Sequence, residues 1–313
     1  MRERNGLYHA PVPAGTVIRR AFAKLNLALA VGPPEGAWSE RPGWHRIASW
    51  SCAVALADEV RVRRLPEGAA CTWSFDCASD APRRIAFDWP VPSDLTFRAH
   101  ALLEREAGRP LPAAIAVTKR IPPGGGLGGG SSDAAAVMLA LDGLFGLGLG
   151  MERLRALSAR IGSDVAFFID EAETPRPALV TGFADRVERV APARAGVVLI
   201  VPAFGCATPA VYRAFDALGP GPIREREVGE MARAARAVGA ALFNDLAEAA
   251  FSLHPALRSL RERAARAIGR AVHLTGSGST LFVLCEPGET EAIAGRAARA
   301  LTGVAVVATE IVG

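Results

Sequence analysis

Residues 124–130, Gly-Gly-Gly-Leu-Gly-Gly-Gly, hold six glycines and run straight into Ser131, Ser132 and a helical pattern. No other stretch constrains the chain as strongly. Glycine removes the side chain where backbone must come close to another group. The helix is marked by Ala134, Val137, Met138, Leu141, Leu144 and Phe145, which share one face at 3.6-residue spacing, with Gly146 and Gly148 as the stop. A helix start offers unpaired N–H groups and the positive end of a dipole, so a glycine loop that feeds a helix draws phosphate. Ser131 and Ser132 either cap that helix or donate to phosphate oxygens.

Gly124, Gly126 and Gly129 formally fit the dinucleotide pattern GxGxxG, but a glycine-rich loop meets that pattern by chance, and this one lies mid-chain behind Pro122 and Pro123. A Walker loop needs Gly-Lys-Ser/Thr, which is absent. A flexible linker does not normally run into so periodic a helix. The phosphate-binding reading therefore takes in Pro123, Gly124, Gly125, Gly126, Leu127, Gly128, Gly129, Gly130, Ser131 and Ser132.

Around this loop the patterns alternate between strand and helix. Residues 25–31 read as a strand ended by Pro33 and Pro34, with further strands from residue 47 and over 59–65 and 113–119. Residues 94–106 read as a helix with Ser93 as its cap, 151–161 as another, and 178–190 as a hairpin. From Gly196 the order becomes strand, helices, strand, strand, helix, strand, that of a ferredoxin-like split βαβ unit. The chain is thus expected to be an α+β protein of two domains, residues 1–194 and 195–313.

Of 36 basic residues only Lys24 and Lys119 are lysines. Where arginine serves almost everywhere, a rare ammonium is a candidate for chemistry that a guanidinium cannot do. The net charge of +4 is spread over interleaved acids and bases, with no aromatic-threaded basic run, so nucleic acid is not an expected partner. Five cysteines without a CxxC pair argue against a disulfide framework or a zinc site. No run approaches the ~18 apolar residues of a membrane span, and residues 1–15 hold no apolar leader core. The expectation is a cytoplasmic protein without a membrane partner; the sequence leaves its oligomeric state open.

Four further segments complete a pattern: Ala23-Lys24-Leu25-Asn26-Leu27, Gly43-Trp44-His45, Gly162-Ser163-Asp164-Val165-Ala166-Phe167-Phe168, and Leu274-Thr275-Gly276-Ser277-Gly278-Ser279-Thr280. With the glycine loop, and in this order, they resemble the galactokinase, homoserine kinase, mevalonate kinase and phosphomevalonate kinase (GHMP) superfamily. The wording of the loop is most similar to the branch of the non-mevalonate isoprenoid pathway.

The resemblance implies a ribosomal-protein-S5-domain-2-like N-terminal domain, a ferredoxin-like C-terminal domain and a cleft between them. It implies ATP as donor, Mg2+ as its escort, and a small-molecule acceptor, cytidine-diphospho-methylerythritol, phosphorylated at its 2-hydroxyl. Asp164 matches the catalytic aspartate and Lys24 the lysine beside it; a carboxylate there can take the hydroxyl proton while an ammonium offsets charge on the transferring group. Read without the resemblance, Asp164 is as readily a turn or cap residue. Asn26 lies two residues from Lys24, on the same strand face. Asp94 stands in the segment tied to the adenosine site, where the family often has Asn. Trp44, His45, Thr208 and Tyr212 match substrate residues: Trp44 and Tyr212 would sandwich a cytosine ring and His45 would read its edge. The family has Tyr at Trp44, so a hydroxyl contact is lost there. Another GHMP kinase, of homoserine or mevalonate type, and an inactive nucleotide or sugar sensor are the alternatives.

Overall fold

Two long strands set the frame. In the computed structural model, which describes residues 13–84 and 86–313, β1 (Thr16–Pro34) and β2 (His45–Arg64) pair antiparallel along most of their length. The segments from residue 47 and over 59–65 are one strand; the apolar run between them is its buried middle, with Trp50, Cys52, Ala53 and Val54 fully covered. The reading of residues 1–15 falls largely outside the described residues.

The pairing of β1 with β2 slips between Phe22 and Ala23 and again between Asn26 and Ala28. Such irregularities re-aim side chains, and these two bracket Lys24 and Asn26. The sequence reading missed β3 (Thr72–Cys77), which runs parallel to β4 (Ala113–Lys119); its residues alternate half-buried and exposed at the sheet's edge. β4 continues the sheet against β2.

Between β3 and β4 lies α1 (Leu95–Ala107). Its cap is Asp94 and not Ser93: the Asp94 carboxylate accepts from the Thr96 backbone N–H at 2.8 Å, while Ser93 closes a short 3-10 turn. After the glycine loop comes α2 (Gly129–Phe145), which is buried on almost every side and is packed with alanines that let neighbours approach closely. It starts two residues earlier than Ser131, with Gly128 as its left-handed cap. α3 (Gly150–Ser158), the short α4 (Val165–Phe168), and the hairpin of β5 (Ala178–Gly182) and β6 (Arg186–Arg189) follow, β5 lying against β2.

The rest of the chain holds β7 (Gly196–Pro202), α5 (Thr208–Ala217), α6 (Glu225–Ala234), α7 (Ala247–Leu253), α8 (Pro255–Ile268), β8 (His273–Leu274), β9 (Leu281–Cys285), α9 (Thr290–Ala300) and β10 (Val304–Val312). Its strands run β10-β7-β9-β8, all antiparallel, which is the fourth-first-third-second order of a ferredoxin-like sheet. The fold is α+β, and Ile311 and Val312 join this sheet to the first by pairing with Val54 and Ala53 of β2. One apolar core spans that junction, with Leu25, Leu27 and Trp50 against Val197, Leu199 and Phe282. All five cysteines are free. Among the described residues no helix is long and apolar enough to cross a membrane.

Candidate active site

A cavity of about 980 Å3 opens where the glycine loop, β1, the start of β2 and α5 meet. This is at the top of the ~300–1,000 Å3 range of small-molecule sites. Both lysines of the chain line it, and both are almost wholly buried, Lys24 at 4% and Lys119 at 5% exposure.

The loop is held from both sides. Lys24 donates its backbone N–H to Leu127 O at 2.9 Å, so the loop is tied to β1 beside that lysine. On the loop's other side, the backbone N–H of Thr280 reaches Gly125 O and that of Cys206 reaches Gly124 O, both at 3.1 Å. Gly124, Gly126 and Gly128 all take positive φ, the region open to glycine. A Cβ at Gly126 would fall on the Thr275 carbonyl, and one at Gly128 would meet Lys24 Cγ at 3.0 Å. The first helical bond of α2 runs from Ser132 N to Gly128 O, so helix geometry leaves the N–H groups of Gly129, Gly130 and Ser131 without an intrahelical acceptor.

Pro123, the six glycines, Leu127 and Ser131 line the cavity. Ser132 does not: it is 3% exposed and turned into the interior, while the next residue, Asp133, is in the wall. Neither serine caps the helix, since both lie inside its first turns.

Lys24 Nζ stands 3.3 Å from Asp164 Oδ2 and donates to Asn26 Oδ1 at 2.5 Å. Asn26 in turn donates to Ser49 Oγ at 2.7 Å, so its amide steadies the ammonium. Asp164 occupies the cap position of α4 but makes no capping bond; its carboxylate is 38% exposed and faces the cavity. Asp164 thus sits in the turn before α4 without using its side chain as a cap.

Asp94 reaches the cavity wall with its carboxylate already engaged, Oδ1 by the Thr96 N–H and hydroxyl and Oδ2 by the Trp89 indole N–H at 3.0 Å. Trp89 and Phe75, which pack edge to face, line the same end and were not singled out in the sequence, since they fall in a stretch to which the sequence reading assigned no element. The Lys119 network was also missed. Its ammonium lies 2.5 Å from both Asp58 and Asp133. Asp58 further accepts the backbone N–H of Ile121 at 2.8 Å, which fixes the entry to the loop. Burial raises the pKa of the Asp133 carboxyl, against the pull of Lys119, and its Oδ1 is buried without a hydrogen-bond partner among the described residues.

At the other end, Trp44, His45, Thr208 and Tyr212 all line the cavity. The ring against Tyr212 is His45, with centroids 4.9 Å apart; Trp44 is half exposed and packs edge-on to Phe183. Burial, then the charge of Asp164, raises the Tyr212 hydroxyl pKa. Thr208 Oγ1 is 2.8 Å from Ser277 Oγ in the turn after β8.

Residues 94–171 match the model of the GHMP kinases N terminal domain, and residues 223–303 that of the GHMP kinases C terminal domain. The chain is 35% identical over 294 residues to a 4-diphosphocytidyl-2-C-methyl-D-erythritol kinase of Salinispora tropica, covering 90% of this chain and 87% of the relative. The chain belongs to the GHMP kinases. A second such relative of this GHMP kinase, from Thermobifida fusca, is 36% identical over 280 residues, covering 87% of each chain. Among solved structures, a 4-(cytidine 5'-diphospho)-2C-methyl-D-erythritol kinase superimposes at a TM-score of 0.72 with 30% identity, over 95% of this kinase and 100% of the other. A homoserine kinase from Cytophaga hutchinsonii, 15% identical with a TM-score of 0.63 over 98% and 97% of the two chains, shares the fold.

Proposed function

We propose that this GHMP kinase transfers the γ-phosphoryl group of ATP to the 2-hydroxyl of 4-diphosphocytidyl-2-C-methyl-D-erythritol, a step of the non-mevalonate isoprenoid pathway, in the cytoplasm. One observation carries the chemistry: a cavity-facing carboxylate, Asp164, lies 3.3 Å from a buried ammonium, Lys24, beside a glycine loop that ends in a helix start. The substrate rests on the 35% identity to relatives of that name over most of both chains.

In this reading the free N–H groups of Gly129, Gly130 and Ser131 bind the triphosphate, with Pro123 to Gly128 forming the wall of its channel. The base lies towards Asp94, Phe75 and Trp89. Asp94 acts there as a cap that orders the segment, because both of its oxygens are already engaged. Ser132 supports the first turn of α2 from within. Asp164 accepts the proton of the acceptor hydroxyl as the new P–O bond forms, and Lys24, aimed by Asn26, offsets negative charge on the phosphoryl oxygens. Proximity of donor and acceptor supplies most of the remaining acceleration.

The acceptor's cytosine end lies between Trp44 and Tyr212, with His45 at its edge and Thr208 beside its phosphates. Residues 1–194 form the ATP-binding and catalytic domain and residues 195–313 the substrate-binding domain. Oxygen donors suit Mg2+, and the chain offers the Ser131 hydroxyl and the carboxylates of Asp133, with its partnerless Oδ1, and Asp164. Bound there, Mg2+ would screen the charge of the triphosphate.

Asp164→Asn tests the reading, since volume is kept and only the base is lost. Substrate-dependent ADP release should fall on the order of 10²-fold or more with unchanged thermal stability. Wild-type turnover in the variant would remove Asp164 from the mechanism.

A further inference from the structure

His45 and Asp216 form a pair of acceptors at the cytosine end of the cavity. His45 Nδ1 lies 2.8 Å from Gly32 O. A carbonyl only accepts, so Nδ1 carries a hydrogen there. In the neutral ring the lone pair is then on Nε2. That nitrogen is 3.3 Å from Asp216 Oδ1. The imidazole is nearly covered, at 7% exposure, whereas the carboxylate is 37% exposed and lines the cavity. Among the described residues His45 is the only ion-pair partner of Asp216.

The helix explains the placement. Thr208, Tyr212 and Asp216 follow one another at four-residue spacing along α5 and share the face that lines the cavity. Val211 and Phe215, on the adjoining face, are buried in the C-terminal core and fix the rotation of the helix. Two acceptors so close need hydrogen between them. A proton on Nε2 supplies one; an amino group supplies two, one for each acceptor.

We propose that Asp216 is a specificity residue, whose carboxylate accepts one N–H of the exocyclic amine of a cytosine ring while His45 Nε2 accepts the other. This inference rests on the proposed cytidine-containing substrate, and Asp216 lies outside the segments that carry the family resemblance. Cytosine presents an N4 amino donor, for which Asp and Glu are suited acceptors; uracil presents an O4 acceptor at the same place. Facing two acceptors, O4 meets repulsion and leaves both unpaired, so the pair selects for the amine and against the carbonyl.

The test measures binding of cytidine 5'-diphosphate and uridine 5'-diphosphate by calorimetry to the full chain, with the nucleotide-donor site filled by a non-hydrolysable ATP analogue. The wild type should prefer the cytidine compound. Asp216→Ala should lose about 10-fold to 100-fold of cytidine affinity, the span of a hydrogen bond to a charged group, and should leave the uridine compound unweakened. Asp216→Asn keeps the side chain's shape and can turn its amide N–H toward O4, so uridine affinity should rise.

Undiminished discrimination in both variants overturns the role of Asp216 while leaving the cytidine reading intact. Equal loss for both nucleotides also overturns it, because Asp216 then only holds His45 in place. If the wild type itself does not discriminate, the reading of the base fails and this inference fails with it. Should Asp216→Ala fold poorly by thermal melting, the Asp216→Asn comparison decides alone.

Discussion

Gly128→Ala is the substitution whose effect the geometry defines most closely. Gly128 caps α2 at φ 71°, and an L-residue in that region costs about 1–2 kcal/mol. The new methyl would also lie 3.0 Å from Lys24 Cγ, 3.3 Å from Lys24 Cε and 3.1 Å from Phe168 Cζ. These contacts are too close by a few tenths of an ångström, so something must yield. Lys24 is held by its backbone bond to Leu127 and by Asn26 and Asp164 at its tip; a push on its stem therefore displaces the ammonium. Displacements of about 1 Å near reacting groups cost ~10²-fold, so a shift of this smaller size should lower kcat on the order of 10-fold. KM for ATP should change less, because the methyl faces Lys24 and not the channel. Gly130→Ala is the control: its Cβ would meet only Leu95 Cδ1, at 3.7 Å, and alanine inside a helix gains up to ~1 kcal/mol over glycine. The assays are coupled ADP release for kcat and KM, and urea unfolding for stability. A raised KM for ATP with unaltered kcat in Gly128→Ala would refute the reasoning, since it would put the methyl among the phosphates.

Lys24→Arg keeps the charge but should reduce kcat at least 10-fold, because a flat guanidinium cannot take the place of an ammonium 2.5 Å from Asn26 Oδ1; full activity would show that only the charge matters. His273 provides a pH test. Burial, then the charge of Arg261, depresses its folded pKa from 6.5 to about 4, so between those values the unfolded chain binds a proton that the folded one does not. Stability is then present above pH 6.5 and should fall by on the order of 2–3 kcal/mol as pH drops toward 4. His273→Gln should flatten that part of the urea-derived profile, and an unchanged profile would place the acid sensitivity elsewhere.

The glycine loop was legible because its constraint is local: positive φ at Gly124, Gly126 and Gly128 is written in residue type. The pairing of Lys24 with Asp164, by contrast, joins residues far apart in the chain, and the family resemblance pointed to it where periodicity could not. β3 went unseen because an edge strand with one polar face carries a weak signal. The unity of β2 was hidden because its buried middle does not alternate. Ser132 was misplaced since a helix that starts at Gly129 turns its fourth residue inward, and a shift of two in the start decides which side chain meets the cavity. Asp94 read as a base contact because its engagement with Trp89 and Thr96 is tertiary. The ammonium of Lys119 stood out only by its rarity; that Asp58 and Asp133 enclose it depends on three elements meeting.

The central claim is phosphoryl transfer from ATP to a cytidine-diphospho sugar alcohol, and a substrate panel tests it most directly. The purified kinase is incubated with ATP and Mg2+ and, in turn, 4-diphosphocytidyl-2-C-methyl-D-erythritol, homoserine, mevalonate and phosphomevalonate, with mass detection of products. The account predicts one new phosphate on the cytidine compound, at the 2-hydroxyl by fragmentation, with matched ADP release. Phosphorylation of homoserine or mevalonate in its place, or of none of the four by a folded, ATP-binding protein, would contradict it.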